Sequence, residues 1–314
     1  MNDSETVVRE SPLWLVNPKQ WLLQQWRNRP PATPRNLWLL IAAVVATQNI
    51  AVFHTSQNAN NTVYALLVWG GAVICMEDQI DALKPSPNLL SLLLGTILLI
   101  LVLARTAVVL HWEGVLFALP PIAGLGLALL CLPISKILRF RDSVLTLLLI
   151  PAFALLMRIL PEEPISLLTA KIAGLWLQFI GLEVLVRDRS VMIPGGGVQV
   201  MAACNGVDMM SQIMCVSIVF LLAFPIRSMV SRILLLIAAP VVGLLSNSFR
   251  IAVLTISTSY GSGKGSPVFK FFHEDAGSLV FSGIAVFIFG WLYLTLLERE
   301  LLSLESSNPP SSDT

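Results

Sequence analysis

The sequence predicts an all-α protein, a polytopic membrane bundle of about eight transmembrane helices with a short extracytoplasmic interfacial helix and a hairpin. Hydrophobic residues make up 55% of the 314 residues and charged residues only 12%, whereas about a quarter of the residues in a soluble domain are charged. Apolar runs of about 16–24 residues recur along the chain, close to the ~20 residues that a helix needs to cross a bilayer. The charged residues cluster between these runs.

Eight of these runs are predicted to span the membrane, at residues 37–53, 62–76, 88–104, 114–132, 144–160, 207–224, 230–249 and 278–297. They belong to one domain, residues 35–300. A polar cytoplasmic tail at 1–34 precedes this domain, and a flexible cytoplasmic tail at 301–314 is predicted to follow it.

Basic residues predict the orientation through the positive-inside rule. The loop at 54–61 has no Lys or Arg and is predicted outside, whereas the loops at 133–142 and 225–232 have three and two and are predicted inside. Both termini are therefore expected in the cytoplasm of a multi-pass protein of the cell membrane. The first span is preceded by five basic residues, namely Arg9, Lys19, Arg27, Arg29 and Arg35.

Residues 165–186 are apolar enough to form a ninth span, which would move every later loop to the opposite side. The basic loop at 225–232 would then lie outside, against the positive-inside rule. Lys171, Gln178 and Glu183 also interrupt the run. These observations favour an amphipathic helix at the outer interface.

A hairpin is predicted directly after this helix. Residues 186–204 alternate charged and apolar side chains and turn at Pro194-Gly195-Gly196-Gly197, a pattern typical of two short strands. Helix and hairpin form an extracytoplasmic insertion at 165–206, which leads to Cys204 at the outer end of the sixth span.

Charge and cysteine content exclude several classes of function. The 20 basic and 19 acidic residues nearly balance, so no nucleic acid is predicted as a partner. The predicted partner is instead the lipid bilayer. The four cysteines show no CxxC spacing, so neither a metal site nor a cofactor is predicted. Cys75, Cys131 and Cys215 lie within apolar runs and are expected to be small core residues.

Three polar motifs are predicted to meet at the outer membrane face, in a catalytic region at 204–277. The first opens the sixth span, the second ends the seventh, and the third begins the eighth. In chain order they are Cys204-Asn205-Gly206, Asn247-Ser248-Phe249-Arg250 and His273-Glu274-Asp275-Ala276-Gly277.

Together these residue types could carry out acyl transfer. The pKa of Cys204 is expected to be lowered by its position at a helix N-terminus and by a nearby Arg250. Arg250 could also stabilise the oxyanion that forms when a thiolate attacks a carbonyl. His273 could act as general acid or base, because a histidine gains and loses protons near neutral pH.

Each of these residues also has a purely structural interpretation. Cys204 could be a buried structural cysteine, and Arg250 could anchor the helix by extending to the lipid headgroups. Asp208 and Asp275 are candidate orienting groups, although each could equally be a favourable negative charge at a helix N-terminus.

The ordered motifs resemble those of the exosortase/archaeosortase family of membrane cysteine transpeptidases. That family's pattern is Cys, Ser or Asn, and Gly, followed by Asn-x-x-Arg and by His-x-x-x-Gly. Asn in place of the commoner Ser is similar to the cyanobacterial branch, the cyanoexosortases of the A type. The matching residues are Cys204, Asn205 and Gly206, then Asn247 and Arg250, then His273 and Gly277.

The resemblance implies an enzyme that processes exported proteins with a C-terminal tripartite sorting signal, consisting of a Pro-Glu-Pro-like motif, one transmembrane helix and a basic cluster. It implies cleavage at the outer membrane face and transfer to an acceptor. Cys204 would be the nucleophile, Arg250 the stabiliser of thiolate or oxyanion, and His273 the general acid/base. The supporting residues would be Asn205, Gly206, Asn247, Asp208 and Gly277.

Two alternative functions are compatible with a membrane protein of this kind. A simple membrane cysteine protease would release its substrate to water and differs only in the second nucleophile. A transporter or polysaccharide-export permease would carry ionisable residues in mid-span and an internal repeat. The first five spans are almost uncharged, and Arg105 and Arg158 lie at their outer ends, which disfavours the transporter.

Overall fold

The computed structural model describes residues 33–55, 59–76, 85–108, 114–260, 266–273 and 275–307. Short 3-10 helices lie at Gly114–Ala118, Ile134–Phe140 and Ala202–Cys204. The elements of the described residues are, in chain order, α1 (Pro34–His54), α2 (Ala59–Ile74), α3 (Leu89–Ala107), α4 (Leu119–Cys131), α5 (Arg141–Ile159), α6 (Glu162–Phe179), β1 (Leu185–Arg187), β2 (Ser190–Ile193), β3 (Gly196–Gln199), α7 (Val207–Ala223), α8 (Met229–Tyr260), α9 (Pro267–His273) and α10 (Asp275–Ser307).

The structure confirms an all-α polytopic membrane bundle. Each predicted span coincides with an apolar helix, and six helices in the described residues are long and apolar enough to cross a membrane. The other two, α2 and α7, are apolar but only 16 and 17 residues long. The number of eight crossings therefore stays a prediction.

Polar side chains cap the starts of two apolar helices, α1 and α3. The hydroxyl of Thr33 accepts the backbone N–H of Asn36 at 3.2 Å, and Pro34 occupies the first position of α1. The side chain of Asn88 accepts the backbone N–H of Ser91 at 3.0 Å at the start of α3. Such caps satisfy N–H groups that have no partner within the helix, and thereby set where each helix begins.

Contacts between helix ends show how the bundle is arranged. The hydroxyl of Tyr64, near the start of α2, donates to the carbonyl of Asp208 at the start of α7 at 2.8 Å. At the other end of α2, the hydroxyl of Ser143 in the first turn of α5 donates to the carbonyl of Ala72 at 3.1 Å. The starts of α2 and α7 thus share one end of the bundle, and α5 starts at the opposite end.

The basic loops lie at the end of the bundle opposite to the start of α7. The loop at 133–142 runs into α5 beside the end of α2, and the loop at 225–232 follows the end of α7. The carboxylate of Glu300 on α10 accepts the backbone N–H groups of Arg227 and Ser228 in that second loop. We call this the basic end, and we call the other the sheet end, because β1–β3 lie there.

The insertion at 165–206 contains one strand more than predicted. Instead of a hairpin it forms a three-stranded antiparallel sheet in the order β1-β2-β3, with Val191 paired to both Val186 and Val198. The helix predicted at 165–186 ends at Phe179, because Gly181 adopts a left-handed conformation at φ +85°. That conformation breaks the helix and turns the chain into β1.

The insertion packs on the last turns of α8. The buried face of α6 repeats at helical spacing, and Ala170, Ala173 and Leu177 on this face pack with strand residues and with Ile251 and Leu254 of α8. With 32 residues, α8 is about 48 Å long, longer than the ~30 Å hydrocarbon core. Its C-terminal turns can therefore extend beyond the bilayer to carry α6 and the sheet. The interfacial position of α6 stays a prediction.

Helix α10 continues to Ser307, into the segment 301–314 where a flexible tail is predicted, and that tail stays a prediction. The last turns of α10 are stabilised where Glu300 accepts the two backbone N–H groups of the 225–232 loop. Residues 1–32, which include four of the five basic residues counted for orientation, and residues 308–314 lie outside the described residues.

Candidate active site

Cys204 ends the 3-10 helix Ala202–Cys204, and a tight turn through Asn205 and Gly206 joins it to α7. Gly206 has φ +93°, which side chains other than glycine's seldom adopt. A Cβ at this position would also lie 2.8 Å from the Nδ2 atom of Asn247. Glycine is therefore required both by the backbone conformation and by the close approach of α8.

Asn205 is buried and forms an Asx-turn that leads into α7. Its Oδ1 atom accepts the backbone N–H of Val207 at 3.0 Å, and its carbonyl accepts the hydroxyl of Thr169 on α6 at 2.7 Å. An asparagine side chain can accept a backbone N–H two residues later in the chain, and a serine hydroxyl can do the same more weakly. This shared ability explains how either residue can follow the cysteine.

Asn247 connects the second motif to the first. Its Nδ2 atom donates to the backbone carbonyl of Cys204 at 2.9 Å, and the side chain is only 2% exposed. A buried amide that satisfies a buried carbonyl holds the Cys204 turn against α8.

Arg250 lies one turn further along α8 and connects the second motif to the third. Its Nε atom donates to the carbonyl of Phe272, and its Nη2 atom donates to the carbonyl of His273, both at 3.0 Å. These carbonyls end α9, where they lack partners within the helix. Only 6% of Arg250 is exposed, so its charge acts in a region of low dielectric constant.

His273 is fixed through its backbone and by one ring contact. Its carbonyl accepts from Arg250, while its exposed imidazole stacks on Phe269 with the ring centroids 5.3 Å apart. The described contacts thus bring His273 to Arg250 through the main chain. The orientation of its imidazole toward Cys204 stays a prediction.

Gly277 allows α10 to begin directly against α9. A Cβ on this glycine would overlap with the carbonyl oxygen of Phe271 and would lie 2.5 Å from the Cα atom of Phe272. Only a glycine permits this close approach, which in turn places the end of α9 beside Arg250.

The environment of Cys204 changes the pKa of its thiol in the direction opposite to the one predicted. Burial raises the pKa of Cys204, the Arg250 guanidinium lowers it, and the Asp208 carboxylate raises it, so that the net direction is upward. The expected lowering by Arg250 is present, but desolvation of the thiolate outweighs it. The prediction of a lowered pKa is therefore wrong.

Asp208 is one turn after Cys204 and acts as a negative charge that disfavours the thiolate. Its backbone carbonyl accepts the hydroxyl of Tyr64, which ties the start of α7 to α2. The side chain of Asp275 lies outside the described residues. Among the described residues, no group of three or more His, Cys, Asp and Glu side chains could hold a metal ion.

Sequence reasoning missed Thr169, which holds the carbonyl of Asn205 from α6. It also missed Trp176 of the same helix, whose ring packs edge-on against Phe249, the residue before Arg250. Thr169 lies on the buried face of α6, at helical spacing from Ser166 and Ala173. The available signal was a pair of hydroxyl residues, Ser166 and Thr169, on the buried face of this helix.

The fold and this site define a class, that of polytopic membrane proteins in which a cysteine turn, an arginine and a histidine-bearing helix end meet at one end of the bundle. A family model described as transmembrane exosortase matches residues 54–290, about three quarters of the chain. The chain belongs to the transmembrane exosortase family, which confirms the family resemblance. No curated protein and no solved structure matched the chain. Its assignment to the cyanobacterial branch stays a prediction.

Proposed function

We propose that this exosortase is a membrane cysteine transpeptidase that cleaves the C-terminal sorting signal of exported proteins. The observation that carries the proposal is the position of Arg250. Its charge acts on the Cys204 thiol, and its guanidinium binds the helix end that bears His273. One buried cation thus connects a nucleophile with a general acid/base.

The raised pKa of Cys204 means that the resting thiol is mainly protonated at neutral pH. A base is therefore needed when the sulfur attacks, and the exposed imidazole of His273 is suited to this role. The sulfur bonds to the carbonyl carbon of the scissile peptide while the thiol proton passes to His273. The resulting oxyanion is stabilised by Arg250.

Collapse of this intermediate breaks the peptide C–N bond, and His273 returns its proton to the leaving amine. The substrate remains attached to Cys204 as a thioester. A second nucleophile then attacks the thioester carbonyl, loses its proton to His273, and releases the cysteine sulfur, which takes the proton back. Attack by an acceptor of the glycan or lipid class transfers the substrate to that acceptor, whereas attack by water hydrolyses the thioester.

The substrate proposed is an exported protein with a Pro-Glu-Pro-like motif, a transmembrane helix and a basic cluster at its C-terminus. The site is proposed to face the extracytoplasmic side of the cell membrane, with both termini in the cytoplasm, because the basic loops lie at the opposite end of the bundle. Membership of the exosortase family disfavours the transporter alternative.

The direct test is the processing of a co-expressed secreted reporter that carries such a tail. We expect Cys204→Ala, Arg250→Ala and His273→Ala to lose processing. Cys75→Ala is the matched control, because Cys75 is a partly exposed free cysteine at the basic end that contacts Thr146. Complete processing by Cys204→Ala would overturn the proposal.

The proposed orientation is tested with a membrane-impermeant thiol reagent on intact spheroplasts. Cys204 is only partly buried and should be labelled, as should a Thr55→Cys control in the loop predicted outside. Labelling of Thr55→Cys without labelling of Cys204 would instead favour the ninth span at 165–186.

A further inference from the structure

Two consecutive carbonyls of the Cys204 turn are each held by a side chain from a different helix. Asn247 of α8 donates to the carbonyl of Cys204 at 2.9 Å, and Thr169 of α6 donates to the carbonyl of Asn205 at 2.7 Å. Thr169 is fully buried, and Asn205 is 3% exposed, so water does not compete for either group.

The bond from Thr169 is unlike those of other buried hydroxyls nearby. A helical Ser or Thr commonly bonds a carbonyl of its own preceding turn. Ser166 does so one turn earlier on α6, toward Glu162, and Thr255 does so on α8, toward Ile251, each at 2.8 Å. Thr169 instead bonds a residue 36 positions away, and its hydroxyl therefore serves the turn rather than its own helix.

These two bonds constrain the backbone that follows Cys204. A peptide unit is planar, so holding its carbonyl oxygen sets the direction of the entire plane. Asn247 holds the peptide between Cys204 and Asn205, and Thr169 holds the peptide between Asn205 and Gly206. Together they restrict the turn that presents the Cys204 side chain.

Thr169 is itself held rigidly relative to Arg250. On the same helix, a Cβ on Gly174 would lie 2.5 Å from the Cγ2 atom of Val186, so α6 packs closely on β1. Two residues later on α6, the ring of Trp176 packs edge-on against that of Phe249, with centroids 5.6 Å apart. Since Phe249 precedes Arg250, α6 is fixed to the same part of α8 that carries the guanidinium.

We propose that Thr169 is a positioning residue of the proposed reaction, whose hydroxyl holds the turn so that Cys204 faces Arg250. This inference rests on the proposed function. It gives α6, which contributes none of the three sequence motifs, a specific part in the chemistry. Misplacing a reacting group by about 1 Å can lower a rate by about 100-fold, so a lost anchor on this turn should be measurable.

The test uses the full-length protein in membranes with three variants. Thr169→Val keeps the shape of the side chain without the hydroxyl, Thr169→Ser keeps the hydroxyl, and Thr255→Val removes a buried hydroxyl bonded only within α8. Two readouts are taken. One is the pulse–chase rate of reporter processing, and the other is the pH midpoint of Cys204 alkylation, measured by mass spectrometry of the Cys204 peptide.

We expect Thr169→Val to slow processing by about 10- to 100-fold and to shift the alkylation midpoint. Thr169→Ser and Thr255→Val should stay near the wild type in both. The proposal is overturned if Thr169→Val matches the wild type in both readouts, or if Thr169→Ser is as slow as Thr169→Val. Where Thr169→Val accumulates poorly, Thr169→Ala is compared with Thr169→Ser, and equal values for these two overturn it.

The two readouts separate this inference from the proposed function. If Cys204→Ala processes the reporter like the wild type, the proposed function fails, but the alkylation midpoint still reports whether Thr169 holds the turn. If Cys204→Ala is inactive and Thr169→Val is fully active with an unchanged midpoint, the positioning role alone fails.

Discussion

The side-chain amide of Asn247 donates to the backbone carbonyl of Cys204 at 2.9 Å, and this bond joins the cysteine turn to α8. Arg250 follows three residues later, on the same face of the helix. One helical turn therefore holds the main chain of the proposed nucleophile and also supplies the cation that lowers its pKa. The spacing Asn-x-x-Arg has a direct physical reason in this arrangement.

Replacing Asn247 by alanine should lower reporter processing by about 10- to 100-fold. The change leaves the carbonyl of Cys204 without its donor and allows the turn to move away from α8. Ser248→Ala is the matched control, since Ser248 is equally buried on the adjacent position but donates only to Leu244 of its own helix. Equal processing by the two variants would contradict the role given to Asn247.

Gly206→Ala should abolish processing, whereas Gly181→Ala should not. Both glycines have positive φ, at +93° and +85°, so each alanine costs about 1–2 kcal/mol of stability, measurable by thermal unfolding. Only at Gly206 would the new methyl group meet Asn247, because the Cβ position at Gly181 has no atom within 4 Å. Similar activity in the two variants would show that the contact with Asn247 is unimportant.

Gly277→Ala should separate α9 from α10 and lower processing, because the added Cβ would overlap with Phe271. The carbonyl of Phe272 would then move away from Arg250. Gly283→Ala lies two turns later on α10, where a Cβ has open space within 4 Å, and should leave processing unchanged. A fully active Gly277→Ala would mean that α9 can shift without consequence for the site.

The pH dependence of Cys204 alkylation tests the electrostatics of the site. The pKa of Cys204 is raised, so the alkylation midpoint should lie above the ~8.5 of a free cysteine. Arg250→Gln removes the charge that lowers the pKa and should move the midpoint further upward. Asp208→Asn removes a charge that raises the pKa and should move it downward. A wild-type midpoint below that of free cysteine would contradict the described burial.

Much of the bundle could be predicted because hydropathy reports the spans directly. The end of α8 could not be predicted, because the polar segment at 247–250 is typical of the end of a span. The helix nevertheless continues to Tyr260. Thr255, Ser257 and Thr258 there donate to carbonyls three or four residues earlier on the same helix. Their hydroxyls are satisfied locally, so the helix need not end where the sequence becomes polar.

The electrostatics of the site were mispredicted because burial depends on distant segments. Position in the sequence placed Cys204 at a helix start, where the thiolate is favoured. The packing of α6 and the sheet around the turn removes water from the thiol, and that effect is larger than the influence of Arg250. Thr169 was missed for the same reason, since its partner lies 36 residues away.

The measurement that tests the central claim most directly is mass spectrometry of the Cys204 peptide from cells that co-express the tailed reporter. We predict a substrate adduct on Cys204 that hydroxylamine removes, as expected of a thioester, and its absence in the Cys204→Ala protein together with loss of processing. Processing that continues in Cys204→Ala, with no adduct at Cys204 in the wild type, would contradict the assignment of this cysteine as the nucleophile.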